Sequence, residues 1–206
     1  MIEQTPSLVA LLKQLQRVPY LASKNIYRVA QYFLELDVQA AEQFCKVLLE
    51  AKQNIVHCHV CWAWKERDKN CYFCSAPKRD RQIICVVETW QDLITIEKTG
   101  GYTGVYHVLG GSICPLEGRG PDDLTIKQLL ERIMGAEQQS EQTCKELIFA
   151  FSQTPEGEAT AAYIASKLRD TSVVLSCLAR GLPVGSVLES ADRLTVFKAL
   201  SERRPF

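Results

Sequence analysis

The chain has 206 residues, of which 47% are apolar, and a formal net charge of zero, a composition typical of a globular protein rather than a disordered one. No apolar run approaches the ~18 residues that cross a bilayer, and residues 1–4 lack the basic start of a secretory signal, so we expect a cytoplasmic protein that does not contact the membrane. The zero net charge also argues against a protein that binds nucleic acid over its whole surface.

The first fifty residues have the pattern of a small helical unit. Thr5 and Pro6 are typical of a helix start, and leucines then follow at helical spacing until Val18-Pro19 ends the helix. Ser23 is a candidate N-cap for a second helix. A third helix is predicted from an apolar face that consists of Val38, Ala41, Phe44, Cys45, Leu48 and Leu49.

Charge is distributed unevenly along the chain. The segment from Gln4 to Leu34 contains no acid, and its cations are Lys13, Arg17, Lys24 and Arg28. Lys24 and Arg28 are four residues apart, so they share one face of the second helix, where they are candidate phosphate contacts. From Glu117 to Glu158 acids outnumber bases by nine to four. The two segments indicate two partner surfaces, although ordinary solvated faces explain either segment alone equally well.

Four of the nine cysteines form two pairs with a metal-binding spacing, Cys58-x2-Cys61 and Cys71-x2-Cys74. A two-residue gap lets both sulfurs of a pair turn toward one centre, and two pairs complete a tetrahedral thiolate shell. The spacing therefore predicts one structural zinc ion per chain, which replaces the apolar core that this short segment lacks. His57 and His59 flank the first pair and are interpreted as bystanders. The other cysteines are interpreted as small core residues: Cys45, Cys85, Cys114, Cys144 and Cys177.

After the cysteine segment, the pattern alternates between strands and helices. Strands are predicted over 83–87, 105–109, 147–151 and 173–178, and helices are predicted over 91–98, 126–133, 158–168 and 192–200. Such alternation predicts a mainly parallel sheet with helices on both faces.

Taken together, these features resemble the RecR family of bacterial recombination proteins over nearly the whole length of the chain. The motifs that carry the resemblance keep the family's order and spacing: the four cysteines, Ile84-Cys85-Val86-Val87-Glu88, Tyr106-His107-Val108-Leu109-Gly110-Gly111, Glu156-Gly157-Glu158-Ala159-Thr160-Ala161 and Gly181-Leu182-Pro183-Val184-Gly185.

The resemblance implies a chain that combines α+β and α/β parts. A helix-hairpin-helix domain is expected over residues 1–55, a four-cysteine zinc finger over 56–80, a Toprim parallel-sheet α/β domain over 81–178 and a short C-terminal helical segment over 179–206. It also implies a non-enzymatic mediator that binds gapped or duplex DNA without sequence preference. Such a protein forms a ring-shaped homotetramer at the nucleoid and promotes recombinase loading with RecO-like and RecF-like partners.

The family's functional positions map onto named residues of this chain. The resemblance implies that Cys58, Cys61, Cys71 and Cys74 bind zinc and that Lys24 and Arg28 contact DNA. The Toprim acidic positions, which the family links to RecO contact, correspond to Glu88, Glu156 and Glu158.

The chain departs from the family pattern in two places. Tyr20-Leu21-Ala22 stands where the hairpin turn is usually glycine-rich, which predicts weaker backbone contact with phosphate while leaving the contacts of Lys24 and Arg28 available. Ser186-Val187 replaces the usual Gly-Asp in the C-terminal segment.

Two alternatives to a DNA-binding mediator remain open. Toprim enzymes hold Mg²⁺ with a glutamate and an Asp-x-Asp pair; Asp-x-Asp is absent from this sequence, but Glu156-x-Glu158 is compatible with weakly bound Mg²⁺. A Mg²⁺-dependent nuclease is therefore disfavoured. The second alternative is a zinc-stabilised adaptor that binds only protein through its acidic middle segment.

Overall fold

The computed structural model describes residues 4–137, 143–179, 181–183 and 185–203. The chain forms two compact units, Met1–Ile55 and Val56–Phe206. Val184, part of one family motif, lies outside the described residues. No helix among the described residues combines the length and the apolar character needed to cross a membrane.

The first unit consists of helices α1 (Pro6–Leu15), α2 (Ser23–Glu35) and α3 (Val38–Asn54). The apolar faces of α1 and α2 meet in a small core formed by Leu12, Ile26 and Ala30, with Leu8, Leu11, Leu15 and Leu21 packed around it. The prediction that Ser23 caps α2 is wrong, because Ser23 is the first helical residue and Ala22 occupies the N-cap without a side-chain bond.

Helix α3 begins where Asp37 accepts a hydrogen bond from the backbone N–H of Ala40 at 2.8 Å. None of its residues is buried, so the predicted apolar face remains exposed on this unit. Its exposed large apolar side chains are Val38, Phe44, Val47, Leu48 and Leu49. Phe44 contacts Phe33 of α2, with ring centroids 5.1 Å apart, but Cys45, which the sequence assigned to the core, is exposed.

After α3 the chain forms a two-stranded sheet of β1 (Ile55–His57) and β2 (Trp64–Glu66), followed by the short helix α4 (Tyr72–Ser75). The second unit is built on four parallel strands, β3 (Asp80–Val87), β4 (Gly104–Val108), β5 (Glu146–Ala150) and β6 (Val174–Cys177), in the order β4-β3-β5-β6. The helices that follow the first strand of this sheet are α5 (Trp90–Glu97), α6 (Ile126–Glu137), α7 (Pro155–Lys167) and α8 (Arg193–Ser201). The predicted parallel α/β arrangement is confirmed.

Alternate residues of β3 belong to different cores, as the two-residue period of a strand requires. Ile84 and Val86 pack with apolar residues of α6 and α7, among them Leu129, Ile133 and Ile164. Cys85 and Val87 pack on the opposite face, against Leu93 of α5 and against the cysteine segment. Strands β3 and β4 are therefore covered on both faces, while the edge strand β6 stays largely exposed, and the segment that carries the four cysteines contributes to one of the two covers.

Of the scattered cysteines in this unit, two match their predicted core role. Cys85 and Cys144 are buried, and burial raises the pKa of their thiols to about 12 and about 11. Cys114 is half-buried, while Cys177 is exposed on β6, where the core prediction is wrong. Since β6 is the last strand in the sheet order, its side chains have a neighbouring strand on one side only.

Candidate metal centre and nucleic-acid interface

The two cysteine pairs are held on two tight turns at the start of the second unit. Cys58 follows β1 (Ile55–His57), and its backbone carbonyl accepts a hydrogen bond from Trp62 N–H at 2.9 Å before the chain continues into β2 (Trp64–Glu66). Cys71 precedes the short helix α4 (Tyr72–Ser75), and its carbonyl accepts from Ser75 N–H at 2.9 Å. Each turn points both sulfurs of its pair toward the other pair.

The four sulfurs are spaced for tetrahedral coordination. Cys58 Sγ and Cys74 Sγ lie 3.6 Å apart, Cys61 Sγ and Cys71 Sγ lie 3.5 Å apart, and all four sulfurs lie within 4.8 Å of one another. A zinc ion with Zn–S bonds of ~2.3 Å requires sulfurs separated by ~3.8 Å. No other group of three or more His, Cys, Asp or Glu ligands converges in this way among the described residues. The residues fit a closed four-thiolate site.

His57 does not complete or compete for this site. Its Nδ1 lies 3.0 Å from the carbonyl of Trp62, and its Nε2 accepts a hydrogen bond from Trp64 Nε1 at 3.4 Å. Both ring nitrogens are therefore engaged in supporting the first turn.

The electrostatic surroundings suit a centre of negative charge. Mutual hydrogen bonds among the four cysteines lower the pKa of the Cys58 thiol and raise the pKa of Cys61 and Cys74, so the thiols share their protons and do not ionise independently. Arg132 of α6 lines a cavity beside the cluster together with Cys74 and Ser75. Burial lowers the pKa of Arg132, whereas the neighbouring cysteines favour its charged form. A zinc ion with four thiolates has a net charge of −2, and Arg132 places a cation next to it.

The metal segment shares its core with the sheet instead of forming a separate body. Cys58, Cys61 and Cys71 pack in one cluster with sheet residues that include Tyr106 and Val108. The backbone N–H of Val108 donates to the carbonyl of Cys61 at 2.9 Å. Any rearrangement of the four cysteines would therefore disturb the sheet as well as the loop.

A buried ion pair strengthens the same junction. Arg79, which follows α4, pairs with Glu97 of α5 and donates to the carbonyl of Gly104 at 3.2 Å. Tyr106 donates its hydroxyl proton to the second oxygen of Glu97 at 2.9 Å. Because the guanidinium and the carboxylate both have further hydrogen-bond partners, these bonds offset part of the desolvation cost of burying the ion pair.

The acidic residues singled out in the sequence lie at one edge of the sheet. Glu88 directly follows β3, and Glu156 and Glu158 lie in the first turn of α7, which follows β5. Since β3 and β5 are neighbouring parallel strands, their carboxyl ends meet at the same edge. The three carboxylates do not, however, converge as a metal-binding trio within the described residues.

Glu88 is held in a closely packed pocket. Only 8% of it is exposed, and Ser152 donates a hydrogen bond to Oε2 at 2.6 Å. Its Oε1 is buried without a hydrogen-bond partner among the described residues and faces Gly157, where an added Cβ would lie 3.1 Å away. The positive end of the α7 helix dipole favours a carboxylate here.

The other two glutamates, Glu156 and Glu158, are more exposed to solvent than Glu88. Lys198 of α8 donates to Glu158 Oε1 at 3.2 Å, which links the C-terminal segment to α7. The side chain of Glu158 is half-exposed, and Glu156 is of intermediate exposure. Both therefore remain accessible at the surface.

In the first unit, Lys24 and Arg28 lie on α2 as the spacing indicates, and both side chains are exposed. The turn before α2 contains Tyr20 with a positive φ of 63°, and its side chain is fully exposed. The predicted helix end at Val18-Pro19 is three residues late, because α1 ends at Leu15.

Comparison with known proteins decides the family. Residues 82–179 match the family model of the Toprim domain, and residues 181–204 match that of the RecR C-terminal region. The chain is 41% identical over 194 residues to "Recombination protein RecR" of Tropheryma whipplei strain TW08/27, which covers 94% of both chains. The protein of the same name from strain Twist is 40% identical over the same share. The chain belongs to the RecR family.

Within this RecR-family chain, most residues that support the site could not be identified from the sequence. Ser152 and Glu88 are 64 positions apart, and Lys198 and Glu158 are 40 apart, so no local spacing indicates either contact. Arg132 was not singled out, because a lone arginine in an amphipathic helix is typical of a solvated face. Gly157 could have been identified from the sequence, because it stands between Glu156 and Glu158 in a motif shared with the RecR family.

Proposed function

We propose that this protein is a non-enzymatic recombination mediator that binds gapped DNA and promotes recombinase loading together with RecO-like and RecF-like partners. Membership of the RecR family over 94% of the chain is the observation that carries the proposal. A protein with this role acts at the nucleoid in the cytoplasm.

The DNA-contacting surface is assigned to the helical unit. Lys24 and Arg28 project from α2 in a segment that contains no acid between Gln4 and Leu34. Contacts from such cations to phosphates are independent of base sequence and release counterions, which makes the affinity dependent on salt.

The metal is assigned as one structural zinc per chain, bound by Cys58, Cys61, Cys71 and Cys74. All four ligand positions are supplied by the protein, which leaves none open for a water or a substrate. The zinc supplies folding free energy, and the chain's own contribution is to hold the four sulfurs and to place Arg132 beside them.

The ring-shaped homotetramer is supported by apolar surface that a single chain leaves uncovered. Helix α3 exposes the face described above, and α8 exposes Leu194, Phe197 and Leu200. Exposed apolar patches of this kind mark protein contacts. The acidic edge with Glu88, Glu156 and Glu158 is assigned to the RecO-like partner.

Salt-dependent binding to gapped DNA tests the DNA surface. We expect Lys24→Ala and Arg28→Ala each to reduce the log–log salt slope by ~1, since each removes about one phosphate contact. Lys46→Ala is the matched control, because Lys46 is an exposed lysine of α3 outside the acid-free segment. An unchanged slope in both variants would remove α2 from the DNA surface.

The same preparations test the nuclease alternative. Gapped DNA incubated with Mg²⁺ or Mn²⁺ is expected to remain intact, because the second pair of acidic ligands is absent. A metal-dependent cleavage product that disappears in Glu88→Gln would contradict the assignment as a non-enzyme.

A further inference from the structure

We propose that Tyr20 is a stacking platform for a nucleobase of single-stranded DNA, at the tip of the helical hairpin. The inference rests on the proposed DNA-binding function, which it makes more specific. It assigns the hairpin a contact with bases in addition to phosphates.

The first argument is the backbone of the turn. Residues 18–21 form a β-turn in which Leu21 N–H donates to the carbonyl of Val18 at 3.4 Å. Pro19 is the second residue of this turn, and Tyr20 is the third, with φ at 63°. Proline at the second position with a positive φ at the third defines a type II turn, whose third residue is usually glycine. A tyrosine there holds a conformation that a bulky side chain rarely adopts.

The second argument is that the ring has no structural role in its own unit. Leu21, the next residue, packs against the helical core. Tyr20 is instead fully exposed, at 105% of its reference area. A strained backbone therefore displays a large aromatic ring that the described unit does not use for packing, and strain of this kind is concentrated at functional positions.

The third argument is the charge around the ring. Arg17 lies three residues before Tyr20, Lys24 lies four residues after it, and no acid lies between Gln4 and Leu34. This favours an anionic polymer over an apolar protein surface as the occupant. In a single strand the bases are free to leave the stack, and stacking on an aromatic ring tolerates any base because each has a π-face.

The experiment compares two single strands that carry the same phosphates. One is a dT oligonucleotide, and the other is an abasic strand of equal length. In the full-length protein we expect Tyr20→Leu to weaken binding to the dT strand about tenfold and to leave binding to the abasic strand unchanged, since one stacked base is lost. Tyr20→Trp should retain or increase the affinity for the dT strand.

Two further variants separate stacking from folding. Tyr32→Leu is the matched control, because Tyr32 is an exposed tyrosine of α2 that lies ~12 Å further along the helix than Lys24. Tyr20→Gly should raise the unfolding midpoint, because glycine adopts a positive φ without strain, while weakening dT binding as Tyr20→Leu does. Weaker binding by a variant that is better folded supports stacking.

The outcomes distinguish this proposal from the one on which it rests. If Lys24→Ala weakens binding to both strands and Tyr20→Leu affects neither, the phosphate surface stands and the stacking proposal is overturned. Equal weakening of both strands by Tyr20→Leu also overturns it, as does a change in oligomeric state measured by light scattering. If the wild-type protein binds neither strand nor gapped DNA, the proposed function itself fails.

Discussion

Removal of the proposed zinc ion should unfold the parallel sheet together with the cysteine loops. Structural zinc binding in small peptides supplies ~10–16 kcal/mol, whereas a whole domain is stable by only ~5–15 kcal/mol. Because Cys58, Cys61 and Cys71 lie in the same apolar cluster as Val87 and Tyr106, this free energy supports the sheet directly. We therefore expect the metal-free second unit to lose its cooperative unfolding transition.

Tryptophan fluorescence and circular dichroism measure the two parts of this prediction. The chain has three tryptophans. Trp62 and Trp64 lie in the metal segment, and the ring of Trp90 lies 5.0 Å from that of Trp64. Fluorescence therefore reports on the metal segment, while circular dichroism reports on the sheet and the helices. Both signals should change together when a strong chelator is added, and both should recover with zinc.

Cys61→Ala should reproduce the effect of chelation, and Cys45→Ala, which removes an exposed cysteine of α3, should not. If the chelated protein shifts its fluorescence but keeps an unchanged sheet transition, the metal loops are an independent module. The argument from the shared core would then be refuted.

Two other perturbations test the second unit. Gly157→Ala should destabilise the protein by ~1–3 kcal/mol in chemical denaturation, because the new Cβ would lie 2.2 Å from the carbonyl oxygen of Ser152. The control is Gly135→Ala, where nothing lies within 4 Å of the new Cβ. It should stabilise the protein by up to ~1 kcal/mol in the same measurement. Burial lowers the pKa of His107 from 6.5 to about 3. The unfolded chain therefore takes up this proton first, and stability should fall by up to ~1.4 kcal/mol per pH unit below pH ~6.5. His107→Gln should flatten the dependence of unfolding free energy on pH, compared with wild type, when both proteins are loaded with zinc. Identical slopes would contradict the view that buried, neutral His107 causes this dependence.

The strand and helix pattern could be predicted from the sequence because it depends on local periodicity. A continuous apolar run such as 83–87 indicates a buried strand, and alternation with helices indicates parallel order, so the elements of the parallel sheet and its helices were displaced only at their ends. The short elements β1, β2 and α4 of the cysteine segment were not predicted. The cysteine pairs were equally readable, because metal coordination imposes its own short spacing. The burial of α3 was predicted wrongly. Its apolar face, including Cys45, was expected to be buried, but no residue of α3 is buried in the first unit.

The sequence by itself determined the parallel α/β class, the two cysteine pairs and the cations of α2, since each depends on residues that are close along the chain. Only the tertiary structure decided that the metal loops belong to the core of the sheet and that Glu88 is held by Ser152 against Gly157. It also decided that Tyr20 is displayed outward on a left-handed turn. These contacts join distant positions or depend on what a neighbouring segment leaves uncovered, and no local pattern encodes either property.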